Sequence, residues 1–181
     1  VTTILLVAFA VGVGIGALLC ERLSGHRIEL GLVPLGSLGL TIVAIDLYFA
    51  QTTKHPLVVT TLGELLARPG SIRVLADLAL LGAFGGLYSV PLYAMIQERA
   101  NRQHLSRIIA ANNIINSLFI VSAAGMALTL LNAGLTIPEL FLALACLNGV
   151  VAARIFIGVP EFAQRFFNWI RGKAGNAAER D

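Results

Sequence analysis

The sequence predicts an all-α membrane protein, and three observations lead to this fold class. Hydrophobic residues make up 57% of the 181 residues, and charged residues make up only 13%, about half of what a soluble domain carries. The apolar residues fall into blocks of about 20, the length that crosses a bilayer as a helix. Backbone groups in lipid must be satisfied within each segment, so helices are expected throughout.

Five blocks define the predicted spans, at residues 2–20, 31–49, 74–95, 108–131 and 137–157. The chain starts with Val1, almost inside the first block, and no basic segment precedes it. A signal peptide has such a basic segment. We therefore expect the chain to be a piece of a longer protein rather than to begin with a signal peptide.

The basic residues predict the orientation of these spans. Loop 21–30, loop 97–107 and the C-terminal tail fall on one side of the membrane. Together with Arg154 near the end of the last span, they hold ten of the 13 Lys and Arg residues. Short basic loops stay in the cytoplasm, so the C-terminus is expected there. The basic residues are dispersed among loops, and a nucleic-acid partner is therefore not expected.

No catalytic or metal-binding pattern is found in the sequence. Cys20 and Cys146 are far apart and lack metal-ligand spacing with each other or with His, so we interpret both as small apolar residues. The three histidines fall in predicted loops. We expect no catalytic residue, no metal and no cofactor in this chain.

Small or helix-bending residues recur in the first and third spans: Gly12, Gly16, Gly82, Gly85, Gly86 and Pro91. Glycines three or four residues apart form a smooth face that lets two helix backbones approach closely. Pro91 removes a backbone hydrogen bond and is expected to bend its helix. Such faces are typical of static packing seams and also of surfaces that move during transport, and both interpretations stay open.

Two acidic residues lie within predicted spans. Asp46 lies about one turn inside its span, where a carboxylate faces the bundle interior or reaches back to the membrane interface. Asp77 lies near the start of the third span, and Arg73 precedes it by four residues. That spacing favours an Arg73–Asp77 pair on one helix face, and proton coupling is the alternative.

Three asparagines lie near one end of the fourth span. Asn112 and Asn116 share one helix face, and Asn113 lies about 100° away. Asparagine in hydrocarbon is costly without a polar partner. The three side chains either form hydrogen bonds between helices or line a polar pathway. Asn148 is the single asparagine in the last span, and for this residue we favour a hydrogen bond between helices.

Two amphipathic stretches complete the pattern. Residues 58–67 are expected to form a short surface helix, and residues 159–171 carry Phe162, Phe166, Trp169 and Ile170 at helical spacing. An amphipathic helix of this kind lies in the membrane interface. We therefore divide the chain into a helical bundle, 1–159, and an amphipathic cytoplasmic tail, 160–181.

The loop after the first span resembles the Gly-x3-Asp-Arg-x-Gly-Arg-Arg loop of the major facilitator superfamily. The residues that carry this resemblance are Gly16, Glu21, Arg22, Gly25 and Arg27. The aspartate position of the motif holds Cys20 or, with an offset of one residue, Glu21. In that family the loop closes the cytoplasmic gate through charge pairs and helix-end dipoles.

The third and fourth spans resemble the tenth and eleventh spans of the lysophospholipid-transporter branch of that superfamily. Residues 74–77, 85–97 and 107–116 carry the likeness. It implies that this chain holds the eighth to twelfth spans of a transporter in the bacterial inner membrane. The N-terminal helical bundle would then lie elsewhere in the parent protein. A fused acyltransferase follows the transporter in some members of the branch.

The resemblance implies that the cargo is lysophospholipid, moved across the bilayer by alternating access. Asn112, Asn113, Asn116 and Tyr88 would then contact the polar headgroup, and the glycine faces would form an opening for the acyl chain. Two other functions fit the sequence. The region would otherwise anchor a fused acyltransferase in the membrane, or carry another small amphipathic solute.

Overall fold

The structure is a computed structural model, which describes residues 2–24, 30–50, 63, 70–159, 162, 164–169 and 171. Its helices are α1 (Thr2–Ser24), α2 (Leu32–Ala50), α3 (Ser71–Arg99), α4 (Leu105–Asn132) and α5 (Ile137–Gly158). All five are long and apolar enough to cross a membrane, and the described residues include no strand. The predicted all-helical class with five membrane-length helices is confirmed.

The helix boundaries follow the predicted spans with one main difference. Helix α3 has 29 residues and extends beyond the predicted 74–95 at both ends. The predicted surface helix at 58–67 lies outside the described residues apart from Gly63, and Gly25, Arg27, Ile170 and residues 172–181 lie outside them as well.

Local sequence explains where two of the helices begin. Gly70 precedes α3 with a φ of 89°, a left-handed conformation that glycine adopts without steric cost. Helix α5 begins after Thr136 with a capping box, in which the Glu139 carboxylate accepts a 2.7 Å bond from the Thr136 backbone N–H and a 2.8 Å bond from its hydroxyl. Such a cap satisfies backbone donors that lack a partner inside the helix.

Helices α1 and α3 pack through two facing pairs of glycines. A Cβ atom added to Gly12 would lie 2.7 Å from the Ala79 carbonyl carbon, and one added to Gly16 would meet Ala83 in the same way. On α3, a Cβ added to Gly82 would lie 2.9 Å from the Val13 backbone nitrogen of α1, and one added to Gly86 would lie 2.8 Å from the Val13 carbonyl oxygen. Contact positions rise together along both helices, so α1 and α3 run parallel. The close approach that the glycine spacing predicted is present.

Helix α3 also packs closely against α2 through glycines. A Cβ added to Gly36 would lie 2.7 Å from the Tyr88 backbone nitrogen, and one added to Gly39 would enter the Phe84 ring. Gly85, by contrast, has nothing within 4 Å of its Cβ position. The smooth face of three glycines predicted on α3 therefore consists of only Gly82 and Gly86.

Helix α2 is the best buried of the five helices, because it packs against α3 on one side and α5 on the other. Pro91 lies buried inside α3, which continues as a helix to Arg99. Helix α4 is the opposite case, since none of its residues is buried. The bundle described here thus has a well-packed part, α1–α3 with α5, and a helix α4 with a largely uncovered surface.

The described residues of the tail pack against the connection between α1 and α2. Phe162 is only 8% exposed and clusters with Leu30 and Val33. The indole N–H of Trp169 donates to the Leu23 carbonyl oxygen at 3.3 Å. A Cβ added to Gly31 would lie 2.9 Å from the Arg165 carbonyl oxygen. Two of the predicted apolar tail positions therefore contact protein.

We expect Gly12→Val to destabilise the bundle, because the new side chain would enter the α3 backbone. Overpacking of a tight contact costs about 1–3 kcal/mol. The measurement is unfolding of the purified chain by SDS in mixed micelles. Gly14→Val on the same helix is the matched control, since a Cβ there meets nothing within 4 Å. Equal effects of the two substitutions would contradict the described seam.

Gly31→Val is expected to release the tail, because its Cβ would collide with the Arg165 backbone. The measurement is the rate of tryptic cleavage after Arg165 and Arg171, which we expect to rise several-fold. Gly158→Val is the control, because its Cβ position is open. Unchanged cleavage in the Gly31 variant would show that the tail does not depend on this contact.

Candidate functional site: polar groups between the helices

Within the described part of the chain, polar side chains form three separate groups, and each group joins two helices. The α3–α4 pair is Tyr93 and Asn116, the α2–α5 group is Ser37, Thr41 and Asn148, and the distal group is Asp46, Arg73 and Asp77. The distal group is named for the end of the bundle where α2 ends at Ala50 and α3 begins at Ser71.

The α3–α4 pair contains one of the predicted pathway residues. The Asn116 amide donates to the Tyr93 hydroxyl oxygen at 2.6 Å. Asn112 is half-buried on the same face, and Asn113 is exposed. With a rise of 1.5 Å per residue, Asn112 and Asn116 lie about 10 Å and 16 Å along α4 from Leu105. The asparagines therefore lie well inside the helix, two to three turns from its start.

The asparagine face of α4, defined here as Asn112, Asn113 and Asn116, is only partly covered by the described residues. Helix α4 has no buried residue, and Tyr93 is the side chain that reaches it from α3. Amide groups at this depth require hydrogen-bond partners. The face offers donors and acceptors on a surface that is open to water, to a solute or to further polypeptide.

Tyr88 lies in a different place from the asparagines. It packs beside the cluster of Leu30, Val33 and Phe162. It also lines a pocket of about 10 Å³ between α2, α3 and α5, together with Ser37 and Asn148. A cavity of this size holds about one water molecule. Contact of Tyr88 with a headgroup stays a prediction, and Tyr93 is the tyrosine that pairs with an asparagine.

The α2–α5 group joins the two helices through Asn148. Its amide donates to the Thr41 hydroxyl at 2.8 Å and to the Ser37 carbonyl oxygen at 3.0 Å. The Thr41 hydroxyl in turn donates to the same carbonyl at 3.1 Å. Asn148 thus forms the interhelical bonds that its isolated position favoured. The sequence could have indicated these partners, because Ser37 and Thr41 are hydroxyl residues four positions apart and therefore share one face of α2.

The loop that resembles the facilitator gate is only partly within the described residues. Gly16 packs against Ala83, which gives it a role in the α1–α3 seam. Glu21 and Arg22 occupy the last turn of α1, where the Ser24 hydroxyl donates to the Glu21 carbonyl oxygen at 3.1 Å. Gly25 and Arg27 lie outside the described residues, so the gating role of this loop stays a prediction.

The ion pair of the distal group differs from the one that the sequence favoured. Arg73 forms two hydrogen bonds to the Asp46 carboxylate on α2, one of them from Nε to Oδ2 at 3.2 Å. The spacing of four residues predicts instead that Arg73 pairs with Asp77 of its own helix. Antiparallel packing of α2 and α3 brings Asp46 to the level of Arg73, and an exposed guanidinium reaches the exposed carboxylate more readily than the buried Asp77.

Metal ligation finds no support in the described residues, which contain no group of three or more His, Cys, Asp or Glu side chains placed to hold an ion. Comparisons with protein-family models, with curated proteins and with solved structures found no match.

Replacing Asn148 by Ala is expected to destabilise the contact between α2 and α5. Hydrogen bonds between membrane helices contribute about 0.6–2 kcal/mol. We would measure unfolding of the chain in SDS mixed micelles. Asn113→Ala is the control, because Asn113 is exposed on α4. A loss in the control as large as that in the Asn148 variant would count against a specific role for Asn148.

Proposed function

We propose that this chain forms part of a membrane transporter for an amphipathic solute, and that the asparagine face of α4 lines its polar pathway. One observation carries this proposal. Three amides lie well inside a membrane-length helix that has no buried residue. Polar residues within membrane helices face a bundle interior or a water-filled cavity rather than lipid.

The surroundings of the asparagine face fit a solute with one polar and one apolar end. Beyond Asn116, α4 exposes a run of large apolar side chains, namely Leu118, Phe119, Ile120 and Val121. The amides would bind a phosphate or an alcohol, and the apolar run would contact an acyl chain. A lysophospholipid has both of these parts, and the resemblance to the lysophospholipid-transporter branch points to the same cargo.

The resemblance also supplies the remaining parts of the proposal. Helices α1–α5 would be the eighth to twelfth spans of a major facilitator fold in the bacterial inner membrane, with a cytoplasmic C-terminus. The N-terminal bundle would cover the asparagine face and form the other wall of the pathway. The glycine seam between α1 and α3 would allow these helices to shift during alternating access.

We expect Asn112→Leu combined with Asn116→Leu in the full-length parent protein to lower lysophospholipid transport at least several-fold without loss of membrane insertion. The substitution removes the polar wall and leaves an apolar helix. Ser122→Leu is the matched control, because Ser122 lies on α4 roughly 100° from the asparagine pair. If the double variant takes up as much lysophospholipid as the unmodified protein at equal protein level, the asparagines do not line the pathway and have a structural role.

The proposed function is tested by uptake of lysophosphatidylethanolamine into spheroplasts that lack their own uptake system and express the parent gene. Uptake that persists after inactivation of any fused acyltransferase would support a transporter. Absence of uptake, with acyltransferase activity in the membranes, would make this region an anchor. Uptake of other amphipathic solutes alone would change the cargo and keep the pathway.

A further inference from the structure

The distal group contains more negative than positive charge. Its members are two carboxyl groups, Asp46 on α2 and Asp77 on α3, and one guanidinium, Arg73. Arg73 binds Asp46 through two hydrogen bonds. The side chains of this pair are 53% and 42% exposed, so water reaches both. Because Arg73 is bound to Asp46, Asp77 has no hydrogen bond from this guanidinium.

Asp77 differs from Asp46 in its surroundings. It lies one turn beyond Arg73 in α3 and is only 5% exposed. Its Oδ2 atom is buried and has no hydrogen-bond partner among the described residues. Arg73, one turn before Asp77 in α3, binds Asp46, which places the two carboxyl groups at the same level of the bundle. Two ionised carboxylates are both acceptors, and a hydrogen bond between them requires a proton on one.

Among the residues that the structure describes, the helices around Asp77 provide no other charge. On α1, the residues from Thr2 to Leu19 are all uncharged. On α2, Asp46 is the charged residue at this level, and Tyr48 lies two positions further on, toward the opposite side of the helix. On α3 itself, Arg73 is the nearest charged residue and is bound to Asp46. A buried carboxyl group without a partner charge takes up a proton rather than staying ionised.

We propose that Asp77 is a proton-binding site, and that its bound proton is shared with Asp46 in a hydrogen bond between the two carboxyl groups. Loss of the proton leaves two carboxylates and one guanidinium, so Arg73 then divides between Asp46 and Asp77. The proton therefore decides whether Arg73 stays with α2 or turns toward its own helix. It thereby controls the polar link between α2 and α3 at the distal end.

The geometry favours a proton over a metal cation as the occupant. Hard cations such as Ca²⁺ and Mg²⁺ take six or more oxygen ligands, and two carboxyl groups supply four oxygen atoms at most. The Asp46 oxygens are already bound by Arg73, and its positive charge would repel a cation at the same place. A proton needs only one donor oxygen and one acceptor oxygen.

The test is labelling of the full chain in lipid vesicles with dicyclohexylcarbodiimide, which reacts with protonated carboxyl groups in apolar sites. The carboxyl proton moves to a carbodiimide nitrogen, a carboxylate oxygen bonds to the central carbon, and rearrangement leaves a stable N-acylurea. Peptide mass spectrometry locates the adduct. We expect labelling at Asp77 that falls at least tenfold as pH rises, with Asp46 and the exposed Glu139 unlabelled as internal controls.

Asp46→Asn provides the second arm of the test. This variant removes the neighbouring negative charge and frees Arg73 to pair with Asp77. Labelling of Asp77 should therefore disappear at a lower pH than in the unmodified chain. A folding defect in the variant does not affect the first arm, which uses the unmodified chain. Infrared spectroscopy adds an independent readout, a carbonyl band of a protonated carboxyl group that is absent in Asp77→Asn.

Three results would overturn the proposal. The first is the absence of both the adduct at Asp77 and the carbonyl band across the whole pH range. The second is labelling of Asp46 in place of Asp77, which would reverse the assignment of the proton. The third is protection of Asp77 by sodium at fixed pH, which would identify a metal cation as the occupant.

Discussion

The fold depends on the close approach of helix backbones to the two sides of α3. Lipid tails are as apolar as leucine, so helices in a bilayer gain little by hiding apolar side chains from their surroundings and associate mainly through packing and polar bonds. Gly12 and Gly16 bring the α1 backbone onto one side of α3, and Gly36 and Gly39 bring α2 onto the other. Contacts this short leave no room for a methyl group. The positions of the polar groups follow from this packing, because it sets the level of α2 against α3.

The three polar groups lie outside these glycine contacts. Arg73 binds Asp46 at one end of the α2–α3 contact, and Asn148 binds Ser37 and Thr41 on the side of α2 that faces α5. Hydrogen bonds in these places fix the rotation and level of neighbouring helices, which small apolar side chains alone specify weakly. The asparagine face of α4 is different, because its helix has no buried residue and only Asn116 has a bond to a neighbouring helix there. A structural role accounts for Asn148 more completely than for Asn112 and Asn113.

The sequence predicted the number of helices and the close glycine contacts, because span length and small-residue spacing are local properties of the chain. It did not predict which helices would meet. Arg73 precedes Asp77 by one helical turn, and that spacing favoured a pair within α3, whereas the level of α2 against α3 brings Asp46 to the guanidinium. The family resemblance, rather than a local pattern, placed Tyr88 with the asparagines, and its contact with a headgroup stays a prediction. In the structure the tyrosine that binds Asn116 is Tyr93, which lies six residues before the end of α3, whereas Asn116 lies eleven residues after the start of α4. Counting residues from the turn therefore does not predict this pair.

Helix α2 connects two of these groups, which gives the distal site an influence beyond its own end of the bundle. Asp46 lies about one turn beyond Thr41 and on the same helix as Ser37, so a change in the Arg73 contact acts on the element that Asn148 holds against α5. The Phe84 ring of α3 fills the space beside Gly39, and Gly36 lies against the Tyr88 backbone. The bonds of Arg73 to Asp46 add a polar link to this close packing at the end of α2. Loss of the proposed proton from Asp77 would therefore redirect the polar link at this end of α2 while the glycine packing stays in place.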